Sequence, residues 1–183
     1  KDSVFRLKQI HGEIFNGKFS SNQLWLDGRE QAFDITFQGM DLSQVVALQQ
    51  QPGIKITGSI DGDLPMVMDT HGISIDKGWA SSLSGGKMSI LGNPSFDAIK
   101  VQQPELALLE NFDFSQLKSK IKLDPDGWVF FDFALKGTNP DKKRSVNLNY
   151  SHQENIFALL ESIRIVKSVE NSIEQKTTQG KKK

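Results

Sequence analysis

The residues that could do chemistry in this chain are few and scattered. His11, His71 and His152 lie in three separate segments beside glycine or polar neighbours. A metal site or a catalytic base needs partners at defined spacings, and none of the three has a histidine or carboxylate at helical ligand spacing. Solvated or turn-supporting roles are expected for them. Asp61-Gly62-Asp63 and Asp124-Pro125-Asp126-Gly127 cluster carboxylates as calcium sites do, but neither continues into the alternating acidic series with a distal Glu that an EF-hand uses. Both read as turns. No Ser nucleophile elbow, phosphate loop or dinucleotide fingerprint is present, and Gly58, Gly62 and Gly72 do not match the G-x-G-x-x-G spacing. Arg6, Arg29, Arg144 and Arg164 are spread along the chain, whereas a small dicarboxylate calls for convergent cations. The expectation is a protein without catalysis, metal or cofactor.

Bulk composition narrows the choice further. Lys plus Arg and Asp plus Glu both number 22 among 183 residues, so the formal charge is zero. Nucleic-acid binding is largely phosphate neutralisation, and a neutral chain with no basic stripe argues against it. Cysteine is absent, which removes disulfides and thiolate metal sites but leaves the compartment open. The sequence starts at Lys1 without Met, hydrophobic signal region or long apolar run, as a piece of a longer protein would.

The informative pattern is a period of two. Between residues 53 and 79, Ile54, Ile56, Ile60, Leu64, Met66 and Met68 fall on even positions while Lys55, Thr57, Ser59, Asp61, Asp63 and Asp69 fall on odd ones. Successive strand side chains point to opposite sides, so this ribbon has one oily and one wet face. Gly58, Gly62, Gly72 and Pro65 interrupt it and predict bends.

The rest of the chain predicts the elements that would position this ribbon. Three or four antiparallel strands fit residues 4–39, with Phe33, Ile35 and Phe37 alternating in the last. Asp41 predicts an N-cap, with Gln44 completing a capping box and Leu42, Val45, Val46 and Leu48 facing inward, ending at Pro52-Gly53. Ser81 to Gly86 reads as a loop, Met88 to Leu91 as a strand, and Pro104 as the start of a helix over 104–111. Asp124-Pro125-Asp126-Gly127 predicts a hairpin turn, from which Val129, Phe131, Phe133 and Leu135 return in alternation, and Val146, Leu148 and Tyr150 alternate after a polar loop. An amphipathic helix is predicted over 154–176, with Ile156, Leu159, Leu160, Ile163, Val166, Val169 and Ile173 as its stripe. Its mixed polar face suits a cover for protein more than a bilayer helix. Residues 177–183 have no apolar side chain and are expected to be a disordered basic tail, leaving residues 1–176 as one domain.

Several ordered motifs carry a resemblance. Gly58-Ser59-Ile60-Asp61-Gly62-Asp63-Leu64-Pro65, then Gly72-Ile73-Ser74-Ile75-Asp76-Lys77-Gly78, then Pro104-Glu105-Leu106-Ala107, then Leu135-Lys136-Gly137-Thr138-Asn139-Pro140 with Val146-Asn147-Leu148-Asn149 resemble the C-terminal region of YdbH proteins. These belong with TamB to the AsmA-like group of bacterial envelope proteins. Met66 stands where the pattern usually has an aliphatic after the proline. The likeness covers roughly residues 10–175.

It implies a mainly β fold, a curled antiparallel sheet forming a half-barrel or groove. It also implies a periplasmic protein held in the inner membrane of a Gram-negative bacterium by a helix outside this chain, bridging inner and outer membranes. Phospholipid acyl chains would slide along the groove. Candidate groove residues are Phe33, Ile35, Phe37, Ile54, Ile56, Ile60, Leu64, Met66, Met68, Ile73, Ile75, Phe131 and Phe133. The family is also linked to a small outer-membrane lipoprotein, YnbE, which would add a strand to the sheet, so the alternative is a protein-binding module. An older dicarboxylate-transport label finds no support in the scattered arginines.

Overall fold

The computed structural model describes residues 5–48, 52–82, 84–158 and 161. Ten strands form one antiparallel sheet: β1 Arg6–Ile14, β2 Gly17–Trp25, β3 Gln31–Asp41, β4 Ile54–Ile56, β5 Ser59–Asp69, β6 Gly72–Ser82, β7 Gly86–Ile90, β8 Phe112–Leu123, β9 Trp128–Asn139 and β10 Arg144–Asn155. Residues 4–39 therefore hold three strands. β4 and β5 share one lane and β6 and β7 the next, because the β5–β6 ladder passes into a β4–β7 ladder at Ile56↔Met88 and Ile54↔Ile90. β8 pairs with β6 through Lys118 to Leu123 and with β7 through Phe112 to Phe114 on one edge, and with β9 on the other. The result is a sequential meander, each lane beside the next in chain order, not closed into a barrel. Among the described residues β1 pairs only with β2, and β10 only with β9.

Two turns follow from their residues. Asp69-Thr70-His71-Gly72 reverses β5 into β6, with Gly72 at φ 132° and the Asp69 carboxylate accepting from His71 N–H at 2.7 Å. Gly127, at φ 89°, closes the predicted 124–127 hairpin: its N–H donates to Asp124 O, and Asp124 N–H to Trp128 O, both at 2.9 Å. The expected bends differ in detail. The ribbon breaks at Gly58, between β4 and β5, but Gly62 and Pro65 lie inside β5. Pro65 sits opposite Asp34, and toward β6 it falls in a register shift between Asp63 and Met66, where its missing N–H costs no ladder bond.

Three parity changes keep the apolar side chains on one face. β3 changes parity between Phe37 and Met40, around Gly39 at φ 66°; β6 between Ile75 and Gly78; β8 between Phe114 and Gln116. The β5–β6 shift beside Pro65 is the same extra β6 residue seen from its other neighbour, since Ile60, Leu64, Met66 and Met68 keep one parity along β5. A one-residue slip would otherwise turn each following side chain to the wrong side.

The helices cover one end of that face. α1, Leu42–Ala47, is capped by Asp41, whose carboxylate accepts from Ser43 N–H at 2.8 Å. The reciprocal capping-box bond expected from Gln44 is not made, because Asp41 N–H already donates to Phe15 O at 2.8 Å. Only Leu42 is buried in α1, and Leu48 is exposed. α2, Pro94–Gln102, escaped the sequence reading although Asn93-Pro94 is a cap followed by proline at the first helical position. The helix expected from Pro104 is a 3-10 helix, Pro104–Glu110. At the C-terminus β10 continues through Asn155, so the helix expected from 154 begins only at Ile156 and is described to Ala158 and at Glu161. The Asn155 side chain caps it, accepting from Phe157 and Ala158 N–H at 3.1 Å, while Ile156 N–H donates to Gly127 O at 2.9 Å. The remainder of the 154–176 stripe and the 177–183 tail lie outside the described residues.

Candidate functional site: a one-sided apolar face

Directly opposed residues on neighbouring strands point to the same side of a sheet, so the register shows which side chains share a surface. One row crosses all eight lanes: Gly12, Phe19, Phe37, Gly62, Ala80, Ser119, Phe133, Tyr150. Another runs Phe33, Met66, Ile75, Leu123, Val129 and Glu154. Ile35 opposes Leu64, Met68 opposes Ile73, and Ile121 opposes Phe131. Ile54 and Ile56 reach the same side through Ile90 and Met88, since Met88 opposes Phe112. All thirteen candidate groove residues therefore lie on a single face.

Small residues make room for large ones within it. A Cβ at Gly62 would collide with the Phe37 ring and Trp79 O, and one at Gly12 would stand 2.6 Å from Phe19 Cε1. Each ring lies across the glycine of the next strand.

Burial divides the face. Phe37, Ile56 and Ile60 belong to the core cluster with Ala80, Ile90, Phe112, Phe114, Leu117 and Leu135, packed with Leu42 of α1 and Leu109 of the 3-10 helix. Ile54, Leu64 and Phe133 border that cluster. The cover is pinned by polar contacts: Asn139, only 2 % exposed, donates to Leu108 O at 2.9 Å, and Asn93 donates to Pro52 O at 3.0 Å while accepting from Phe96 N–H at 2.9 Å. Lys100 binds both Asp97 and Glu110, joining α2 to the 3-10 helix, and these two carboxylates raise its pKa. Beyond the cover, Phe33 and Ile75 are buried, Ile35, Met66, Met68 and Phe131 are half-buried, and Ile73 is 36 % exposed.

The surface extends beyond the thirteen candidate residues. Phe131, Phe133, Tyr150 and His152 form a near-parallel set on β9 and β10, with neighbouring centroids 5.6–6.4 Å apart and interplanar angles of 12–24°. His152 is thus part of an aromatic wall rather than a solvated turn, and Tyr150 is 54 % exposed on the same side. The even spacing of Val146, Leu148, Tyr150 and His152 carried the signal. At the β1–β2 end, Trp25 lies under two guanidiniums, Arg6 at 4.8 Å and Arg29 at 4.1 Å. Arg29 is paired with Asp27, and this hydrogen-bonded pairing lowers the Asp27 pKa and raises that of Arg29.

The opposite face is wet: Asp61, Asp63, Lys118, Lys120, Lys122, Asp132 and Lys136 alternate with the apolar set. Among the described residues no group of three His, Asp or Glu is placed to hold a metal ion, and no helix is long and apolar enough to cross a membrane.

An open antiparallel meander with one oily face and a helical cover at one end defines a one-sided β-sheet protein. The particular family is shown by comparison with known proteins: the YdbH-like family model, described as intermembrane phospholipid transport protein YdbH, matches residues 1–178, and the chain belongs to that family. It is 25 % identical over 175 residues to the probable phospholipid transport protein YdbH of Escherichia coli strain K12. The match covers 92 % of this chain and 20 % of that relative, so the chain spans about a fifth of the relative's length. No solved structure matches it.

Proposed function

We propose that this chain is a periplasmic segment of a bridge-like phospholipid transporter whose acyl-chain track is the apolar sheet face. One observation supports this most: the register, with its three parity changes, assembles all thirteen candidate residues on one side. The half under α1 and the 3-10 helix is filled by the protein's own leucines, so the acyl chain lies against Ile35, Leu64, Met66, Met68, Ile73, Phe131 and Phe133, with Tyr150 at the margin. Each methylene removed from water contributes about 0.8 kcal/mol, and an unbroken apolar surface offers the same contact at every position along the track. The chain can then slide without a chemical step. In the whole protein an inner-membrane anchor outside this chain would hold the track between the two membranes.

Neighbouring residues on β5 supply the test. Met66 belongs to the track face and Val67, 46 % exposed, to the other. Met66→Asp in the full-length protein abolishes phospholipid delivery to the outer membrane at normal protein level, whereas Val67→Asp leaves it intact. Equal delivery by both variants would refute the track.

A further inference from the structure

The basic corner at the β1–β2 margin of the apolar face is unexplained by acyl-chain contact. Trp25 shares that face with Arg6, its directly opposed residue, and with Lys8 beside Gln23. Gln31 clasps Trp25 to β3, its Oε1 accepting from Trp25 N–H at 2.9 Å and its Nε2 donating to Trp25 O at 2.8 Å. The same Nε2 lies 3.6 Å from Met68 Sδ, so the Trp25 backbone is held beside the Met68 edge of the apolar face. Two guanidiniums then rest on this one ring. Arg6 is oriented by Gln23 Oε1, which accepts from Nη2 at 2.7 Å, and Arg29 by Asp27.

Asp27 neutralises Arg29, but Arg6 has a neutral partner, and no acidic side chain pairs with Arg6 or Lys8 among the described residues. Planar guanidiniums held on an aromatic face keep their remaining N–H donors in a fixed fork, the geometry that suits a phosphate oxygen pair. Among the described residues, Arg6 and Lys8 thus place positive charge beside the oily surface without a carboxylate partner.

We infer that Arg6 and Arg29, set on Trp25, with Lys8 on the same face, form a site for the phosphodiester of a glycerophospholipid whose acyl chains lie along the Met68 side of the face. The site rests on the acyl-track reading and extends it to the head group. It selects for a phosphate beside an apolar tail and discriminates against an uncharged diacylglycerol.

The test uses the 183-residue chain with Trp79→Phe and Trp128→Phe, leaving Trp25 as the fluorescent reporter. Three probes are titrated: dihexanoylphosphatidylglycerol below its micelle concentration, dihexanoylglycerol, and inorganic phosphate. The expected result is tighter binding of the phospholipid than of either other probe. Arg6→Gln with Arg29→Gln weakens phospholipid binding by about tenfold or more, as the loss of charge-assisted hydrogen bonds requires, and leaves dihexanoylglycerol unchanged. Lys8→Gln, at an exposed position, gives a smaller loss that shrinks with added salt. Unchanged phospholipid affinity in both variants overturns the corner while leaving the track standing. Inorganic phosphate bound as tightly as phospholipid overturns the lipid assignment in favour of a plain anion site. Failure of the unsubstituted corner to bind either lipid overturns the acyl-track reading itself.

Discussion

Gly62 is the residue on which the packing of the face turns. It lies between Phe37 and Ala80 in the row that crosses the sheet, and its missing side chain is where the Phe37 ring lies. Replacing it with valine forces that ring and the Trp79 carbonyl apart, an overpacking cost of about 1–3 kcal/mol. Thermal denaturation followed by circular dichroism will show the loss. On the other face of the same strand, burial raises the pKa of Asp63, and Asp34 on β3 adds a smaller like-charge contribution in the same direction. An acid with a raised folded-state pKa costs stability above that pKa, and the cost disappears once the pH falls below the unfolded value of about 4. Asp63→Asn therefore stabilises the chain at about pH 7 and has little effect at about pH 3, a difference that urea denaturation at the two values measures.

Among the elements, the strands were more legible than the helices. Alternation at Ile54 to Met68 and at Val129 to Leu135 is intrinsic to those residues, and the Asp124 to Gly127 turn carries its own backbone requirement, so both appear in the fold as read. The parity shifts could not be read: Phe112 and Phe114 are even, Leu117 and Leu135 odd, and only the pairing of β8 with its neighbours places them together. Tyr150 and His152 differ: their even spacing with Val146 and Leu148 was in the sequence, but only the β9–β10 pairing sets them beside Phe133 and Phe131. The Gln44 capping box failed for a tertiary reason, since Phe15 O takes the N–H that the box would use. α2 shows what the helices depend on. Its cap Asn93 is 4 % exposed and serves both Phe96 and Pro52, so Asn93→Ala costs about 1–2 kcal/mol from the lost cap and the unsatisfied carbonyl. Hydrogen exchange in 94–102 rises in that variant ahead of exchange in β8.

For the whole molecule, the sheet separates two surfaces with different tasks. Charged residues on one side keep it in water, while the apolar side is covered at one end by α1 and the 3-10 helix and lined beyond that by half-buried side chains. The chain belongs to the YdbH-like family and spans about a fifth of its Escherichia coli relative's length; under the proposed function this face would be one stretch of a longer path. The most direct test places a photoreactive benzoylphenylalanine in the full-length protein at Met66 or Phe131 on the track face, and at Val67 or Phe130 on the other. After irradiation in cells, phospholipid adducts detected by mass spectrometry should form at Met66 and Phe131 and be absent at Val67 and Phe130. Equal labelling of both faces, or none at Met66 and Phe131, would contradict the account.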